Sequence, residues 1–591
     1  MESISLGIPY INCLPDGYIS RPDGIYQVTI GRDDEIQEDL LCSPFTVVAQ
    51  VHDRFGTGWG RMVEFVDPAG RKQQWVILDS VVPSKVLAGL RHRGLQISSE
   101  PSANKAFMAL LHKWKPDRPY ITTTDRLGWL DEKFQSFALG DGRILGGQNV
   151  KLDSPGMASA ASAMAAHGSL SNWRESVASQ CIGNPLLVLG VSLAFTGPLL
   201  ELFGGMGGGL HLRGLSSSGK TTIQLVAGSV WGSREFACSW RATANGLEGV
   251  AAARNSTLLV LDEMGEATGK NVSEAAYMLA HGVGKQRAAS SGNAQPVARW
   301  CLAVLSSGEV TLAQKLADDG QKAMAGQEIR LIDIVADNRR YGAFDELHGH
   351  ANGGDFADSL NRAAISSYGT AGPEFIQHIM TKSVALKTAL KSLLALNQRD
   401  LHAAFNPPSN GVIARALSRF ALIAAGGQLA TTFGLTGWPE KTALDAAKMA
   451  FGEWLDAQED VDQTEMEGAI ERTRTYLVKY GTERFERAGV APLDRRAGFA
   501  DTEYFYIDAD AWREIHHGYD CKRAALNLNS TGLLTRGEGK NIQRKTPLTL
   551  SGRSRGYAVR SEIVCQRQEN SVLPDKESDK PDNGGDLGLA A

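Results

Sequence analysis

No Cys-x-x-Cys pair occurs in the 591 residues; the seven cysteines, Cys13, Cys42, Cys181, Cys238, Cys301, Cys521 and Cys565, are scattered. That spacing offers neither a zinc ribbon nor a disulfide framework, so a reducing, cytoplasmic setting is expected. Residues 1–10 lack a basic stretch followed by an apolar core, which argues against a secretory leader. Positive charge is not in excess either. The formal charge is −5, so attraction to nucleic acid has to come from a local patch. One apolar run, Pro185 to Phe203, approaches the length of a membrane span. Thr196-Gly197-Pro198 is expected to break it into a buried helix pair, and Glu201 is charged, so no membrane is expected as a partner.

What is present is the composition of a soluble globular protein, 43% hydrophobic and 21% charged, in a chain too long for one core. The pattern predicts an α/β protein in several parts. Residues 1–165 read as a mixed, β-rich N-terminal domain, with a strand over Thr46–Val51 and a hairpin of Arg61–Val66 and Gln74–Leu78 about the turn Asp67-Pro-Ala-Gly70. Helices are expected over Ser84–Arg93 and Ala103–Lys113, and a second hairpin over Leu127–Ile144. Residues 166–345 alternate strand and helix signals, as a parallel sheet requires. Residues 346–460 are helical by apolar spacing, 461–567 are basic, and 568–591 form a polar tail predicted to be disordered.

The central feature is Gly214-Leu-Ser-Ser-Ser-Gly-Lys220-Thr221, between strand-like Leu210–Arg213 and helix-compatible Thr222–Val230. The pattern predicts a P-loop NTPase core, AAA+-like in its order of elements. Gly214, Ser216, Ser217, Ser218 and Gly219 would turn backbone N–H groups toward phosphate, with Lys220, Thr221 and Thr222 opening the helix. Lys220 would reach the β- and γ-phosphates of ATP, and the Thr221 hydroxyl would coordinate Mg²⁺. Composition gives roughly 0.04 chance matches to this pattern in a chain of this length.

A second element follows about forty residues on. Leu258–Leu261 is a continuous apolar run, as a strand buried on both faces should be, and it ends in Asp262-Glu263. Asp262 suits the Mg²⁺ shell and Glu263 the activation of attacking water; an acidic cap on a core strand is the plainer alternative. A third strand, Trp300–Leu305, ends in Ser306-Ser307-Gly308-Glu309, where Ser306 or Ser307 would contact the γ-phosphate or the water, or else serve as an N-cap.

Between these strands, Gly284-Lys285-Gln286-Arg287, Ser290–Asn293 and Arg299 suggest a projecting hairpin. Lys285 and Arg287 would meet a nucleic-acid backbone or a neighbouring subunit, or form a solvated charged loop. Arg330, at the edge of an apolar strand, is a candidate arginine finger in trans, with a salt bridge to Asp333 as the competing role. The stretch 511–567 carries Lys540, Arg544 and Lys545 among eleven basic residues. A helix over Lys522–Leu528 followed by a basic two-stranded wing suits DNA or RNA contact in a winged-helix-like domain, although some such domains bind only protein. Tyr504–Asp510 ends in Asp-x-Asp, as a metal-holding strand does, yet Trp512 opens a helix that makes Asp510 a natural N-cap.

Taken together, Leu127-Gly-Trp129, Gly214–Thr221, Leu258–Glu263, Gly284–Arg287, Ser306–Glu309 and Arg330 resemble the Cch-like helicases that carry domain of unknown function 927, found on phages, prophages and mobile elements. The resemblance spans roughly residues 20 to 370. Such proteins are similar to hexameric helicases of the minichromosome-maintenance and superfamily 3 type. The resemblance implies a homo-oligomeric, hexameric ring that hydrolyses ATP at subunit interfaces and unwinds or translocates on single-stranded or forked DNA. Ser-Ser-Gly-Glu stands here in place of the asparagine usual in superfamily 3. Two other outcomes fit the same motifs: a DNA-dependent remodelling or loading ATPase that does not unwind, and a nucleotide-regulated DNA-binding switch.

Overall fold

The computed structural model describes residues 14–565 apart from 32–34, 117–119, 148, 154–162, 206, 288–296, 319–329, 490–492, 494, 540, 548–549 and 551–553. Lys540, the hairpin tip Ser290–Asn293 and the tail 568–591 lie outside the described residues. The chain forms two compact units, residues 1–454 and 455–591.

The first unit opens with an antiparallel sheet of β1 (Tyr18–Arg21), β2 (Gly24–Ile30) and β3 (Ile36–Cys42). A five-stranded sheet follows, built on β4 (Phe45–Asp53), β5 (Gly60–Val66) and β6 (Lys72–Leu78). The β5–β6 turn forms where Asp67-Pro-Ala-Gly predicts it. The Asp67 carboxylate accepts the N–H groups of Ala69 and Arg71, each at 2.9 Å, and Gly70 takes a left-handed φ of 79°. Helices α1 (Pro83–His92) and α2 (Pro101–Lys113) cover this sheet, which β7 (Ile121–Thr124) extends in parallel beside β4. The expected second hairpin is instead three short antiparallel strands, β8 (Gly128–Trp129), β9 (Phe137–Ala138) and β10 (Ile144–Leu145); β11 (Val150–Leu152) then joins β7. Turns after Asp131 and Asp141 divide the run, because each carboxylate accepts backbone N–H groups downstream.

The run Pro185–Phe203 is one continuous helix, α3, with Pro198 inside it, which corrects the expected break. Proline removes the bond that residue 198 would donate to the Ala194 carbonyl. The Trp231 indole N–H takes that carbonyl at 2.9 Å, while the Pro198 carbonyl accepts from Trp129 at 2.9 Å. Gly197 lets the helix run against the Thr257 backbone, where a Cβ would stand 2.1 Å from its carbonyl oxygen. The helix is apolar on all sides because the protein surrounds it: 89% of its most apolar window is buried.

The central sheet comprises β12 (Gly208–Arg213), β13 (Ala237–Ser239), β14 (Leu258–Asp262), β15 (Ala303–Gly308) and β16 (Leu331–Val335), in spatial order β13-β14-β15-β12-β16 and parallel throughout. The third strand therefore runs through both serines instead of ending at Leu305. Between them lie α4 (Lys220–Gly228), α5 (Ala244–Ala253), α6 (Gly269–His281) and α7 (Leu312–Asp318). Beyond the sheet come α8 (Gly353–Ser366), α9 (Ala371–Thr381), α10 (Ser383–Phe405) and α11 (Gly411–Thr432). Gly426 and Gly427 of α11 meet Ser192 of α3 so closely that a Cβ at Gly427 would lie 2.2 Å from the serine hydroxyl.

In the second unit, strands drawn from residues 485–560 form a six-stranded sheet. Its core includes Trp512, stacked on Tyr557 at 4.4 Å. The helix after Tyr504–Ile507 begins at Ala509 with Asp508 as its N-cap residue, which corrects the placement of the cap at Asp510. Asp510 lies in the first turn, paired with Arg513 at 2.5 Å, where its charge favours the helix dipole without capping it. The predicted helix at Lys522 is present as Cys521–Ser530, capped by the Asp520 carboxylate.

Candidate active site

Residues 214–219 leave the C-terminal end of β12 and enter α4, so they lie where ligands of open parallel sheets bind. Ser217 and Gly219 adopt φ values of 61° and 105°, which fold the loop back over the helix start. Lys220 is buried, and its ammonium donates to the Gly214 and Leu215 carbonyls, each at 2.7 Å. Among the described residues nothing accepts the N–H groups of Ser216–Thr222, a set of donors suited to an anion. Thr221 is exposed at the first turn while Thr222 is buried.

The loop is braced from the segment that follows β16. The Asp337 carboxylate accepts the Leu215 N–H at 2.7 Å, and the Ser218 carbonyl accepts from Ala343 at 2.8 Å. Neither residue belongs to a motif visible in the sequence. Asp337 matters only because β16 pairs with β12, a register that no local pattern announces.

The acids stand at the end of β14. The Ser307 hydroxyl donates to Asp262 Oδ1 at 2.5 Å, and its oxygen accepts the Glu263 N–H at 3.1 Å. Glu263 holds a left-handed backbone, φ 57° and ψ 73°, a conformation that costs a non-glycine residue about 1 kcal/mol. Burial and the neighbouring Asp262 charge push its carboxyl above the usual range, while Lys220 opposes them. An acid beside an acid and a buried cation is the electrostatic setting of a general base.

Ser306 belongs to a different network. His211 Nε2 faces the Val310 carbonyl at 3.0 Å, so that nitrogen carries the proton and Nδ1 accepts from the Ser306 hydroxyl at 2.9 Å. The Ser306 oxygen accepts the Trp240 indole N–H at 2.8 Å. With its hydrogen bonds spent in the core, Ser306 leaves Ser307 as the serine that faces the acids.

The other candidate residues are placed apart. Arg330 precedes β16 and pairs level with Gly208, six residues back from the loop, or about 20 Å along the strand. Its guanidinium lies 4.8 Å from the Tyr277 ring centroid. Lys285 is paired with Glu274 at 3.0 Å, and Arg287 with Glu248 at 2.7 Å and Asn245 at 2.8 Å. The Val283–Arg299 bridge forms the stem of the expected hairpin. In the second unit, Arg544 covers the Tyr504 ring at 5.0 Å and Lys545 is exposed on the next residue of the same strand. Among the described residues no group of three or more His, Cys, Asp or Glu side chains is arranged to hold a metal ion. Thr221 lies in the first turn of α4 and Asp262 ends β14, so a hydroxyl and a carboxylate, oxygen donors of the kind magnesium takes, stand at the C-terminal end of the sheet.

A parallel sheet with an extra strand between the loop strand and the acid-bearing strand defines an α/β fold of the additional-strand type. Residues 18–299 match the family model described as domain of unknown function DUF927. The active helicase Cch of SCCmec type IV shares the fold at a TM-score of 0.68 and 17% identity, over 93% of this chain and 99% of that one. The resemblance to the Cch-like family of mobile elements read from the motifs is thereby borne out. No curated protein matches the chain in sequence.

Proposed function

We propose that the chain is an ATP-dependent DNA helicase or translocase of a phage, prophage or mobile element, acting as a homo-oligomeric ring of six in the cytoplasm. The observation that carries this reading is the Asp262–Ser307–Glu263 cluster on the strands beside the Lys220 loop. The fold shared with a protein described as an active helicase extends it from hydrolysis to DNA.

In this reading residues 166–345 are a P-loop, AAA+-type core, and 461–567 act as a winged-helix-like DNA contact through Lys540, Arg544 and Lys545. Gly214, Ser216, Ser217, Ser218, Gly219 and Thr222 cradle the phosphates, and the Lys220 ammonium leaves the Gly214 and Leu215 carbonyls to bind them. Thr221 and Asp262 would hold Mg²⁺, which would supply positive charge against the β- and γ-phosphates. Glu263 takes a proton from water as the water oxygen attacks the γ-phosphorus and the ADP oxygen leaves. Ser307 holds Glu263 in position. Arg330 lies too far along the sheet to serve its own loop, which supports a role on a neighbour's nucleotide.

The test measures ATP hydrolysis and strand displacement by wild type, Lys220→Ala and Arg330→Ala, alone and in subunit mixtures. The proposal expects stimulation of hydrolysis by single-stranded DNA and displacement in the same preparation. Hydrolysis without displacement indicates a remodelling or loading ATPase; tight ATP binding without turnover indicates a switch. If Arg330→Ala protein hydrolyses normally and leaves inhibition by Lys220→Ala subunits unchanged, the trans assignment fails.

A further inference from the structure

The β4–β5 loop carries aromatic rings that the hydrolytic site does not use. His52, Trp59 and Tyr120 form a triangle, with ring centroids 5.1 Å apart for His52–Trp59 and Trp59–Tyr120 and 6.0 Å for His52–Tyr120. Trp59 is 44% exposed, Tyr120 52% and Phe55, at the loop tip, 75%. Large apolar rings gathered this openly call for a ligand face.

The loop is built to hold them. The Asp53 carboxylate accepts the N–H groups of Phe55 and Thr57 at 2.8 and 2.9 Å and the Thr57 hydroxyl at 2.6 Å. The Trp59 indole N–H is bound to the Gly56 carbonyl at 3.0 Å. Presenting the rings therefore requires little further ordering on binding.

Beside them runs an open cleft of about 710 Å³, bordered by Arg54 and by Arg299 of the hairpin stem. Arg54 lies over the Phe55 ring at 4.6 Å. Arg126 in the same cleft is paired with Glu201 at 3.0 Å. Neither Arg54 nor Arg299 has a carboxylate partner among the described residues, and with Asp125 as the remaining acid the wall keeps a net positive charge. Exposed rings alternating with unpaired guanidinium groups match the alternation of base and phosphate along an unpaired strand.

We propose that His52, Phe55, Trp59 and Tyr120 form a base-stacking platform for single-stranded DNA, with Arg54 and Arg299 holding its phosphates. This rests on the DNA-translocating reading above. It places a strand contact on the N-terminal domain, against the stem of the hairpin that precedes the Ser307 strand. Base pairs bury their faces, so the platform selects unpaired DNA over duplex.

Anisotropy of a fluorescent oligo-dT, titrated with the full-length protein at several salt concentrations, tests this. Trp59→Ala and Tyr120→Ala should each weaken binding roughly 5- to 100-fold and leave the salt dependence unchanged. Trp59→Phe should restore most of the affinity, since it keeps a ring. Arg54→Ala and Arg299→Ala should each reduce the slope of log K against log salt by about 0.7. Hydrolysis without DNA should stay at the wild-type rate in every variant, which also shows that the protein is folded.

Wild-type binding to oligo-dT with the alanine variants within twofold of it overturns the platform and leaves the helicase reading standing. Equal weakening of binding to a blunt duplex overturns it too. A wild-type protein that binds no single-stranded DNA defeats both.

Discussion

The Ser307 hydroxyl bridges the two acids of the neighbouring strand, donating to Asp262 at 2.5 Å and accepting the Glu263 backbone N–H at 3.1 Å. One side chain on β15 thereby fixes both a candidate metal ligand and a candidate base on β14. Ser307→Ala should lower kcat for ATP by about 10- to 100-fold, the usual effect of losing such an orienting bond, with nucleotide affinity within about threefold. Ser307→Thr, which keeps the hydroxyl, should retain most of the activity. Steady-state hydrolysis and direct nucleotide binding separate the two quantities.

Glu263 combines chemistry with backbone strain, since its left-handed conformation suits glycine. Glu263→Gln should reduce kcat by at least about 100-fold while ATP still binds. Glu263→Gly should be equally inactive and yet unfold about 2 °C higher, because relief of roughly 1 kcal/mol of strain outlasts the loss of the side chain. A lower midpoint for Glu263→Gly than for Glu263→Gln would show that the conformation is unstrained.

Much of this arrangement is legible in the residues themselves. The loop and the acid-ended strand are local patterns, and local patterns locate Lys220, Thr221, Asp262 and Glu263 without knowledge of the fold. The choice between Ser306 and Ser307 is not local. It turns on which face of the sheet each serine points to and on His211 and Trp240 claiming Ser306. Asp337 was hidden for the same reason, as it approaches the loop only through the β12–β16 register. The break expected at Pro198 failed because the compensating donor, Trp231, lies far along the chain.

His211 gives the core a pH dependence of defined sign. Burial, with smaller contributions from Arg213 and Lys220, lowers its pKa to about 4 against the Val310 bond that raises it. A histidine with a depressed folded pKa contributes stability that is full above its unfolded pKa, near 6.5, and lost as pH falls toward the folded value. Between pH 7 and 5 this one group should cost about 2 kcal/mol. His211→Gln should be less stable at pH 7 but should lose about 2 kcal/mol less over that interval in denaturant titrations. Parallel losses would mean that the buried site accepts an imidazolium. His516, whose pKa burial also lowers to about 4, lies in the second unit and titrates alike in both proteins, so the comparison cancels it.

Pro198 and Trp231 should be energetically coupled. The Ala194 carbonyl lacks its helical donor because residue 198 is proline, and the Trp231 N–H replaces that donor at 2.9 Å. Trp231→Phe strands a buried carbonyl and should destabilise the first unit by about 2 kcal/mol, combining lost packing with an unmet acceptor. In a Pro198→Ala background the alanine N–H can return to the Ala194 carbonyl, as in any helix. There the same Trp231→Phe change should cost about 1 kcal/mol less. A double-mutant cycle on unfolding free energies measures this difference directly. A coupling near zero would mean that Trp231 serves by packing alone and that the proline is tolerated for some other reason.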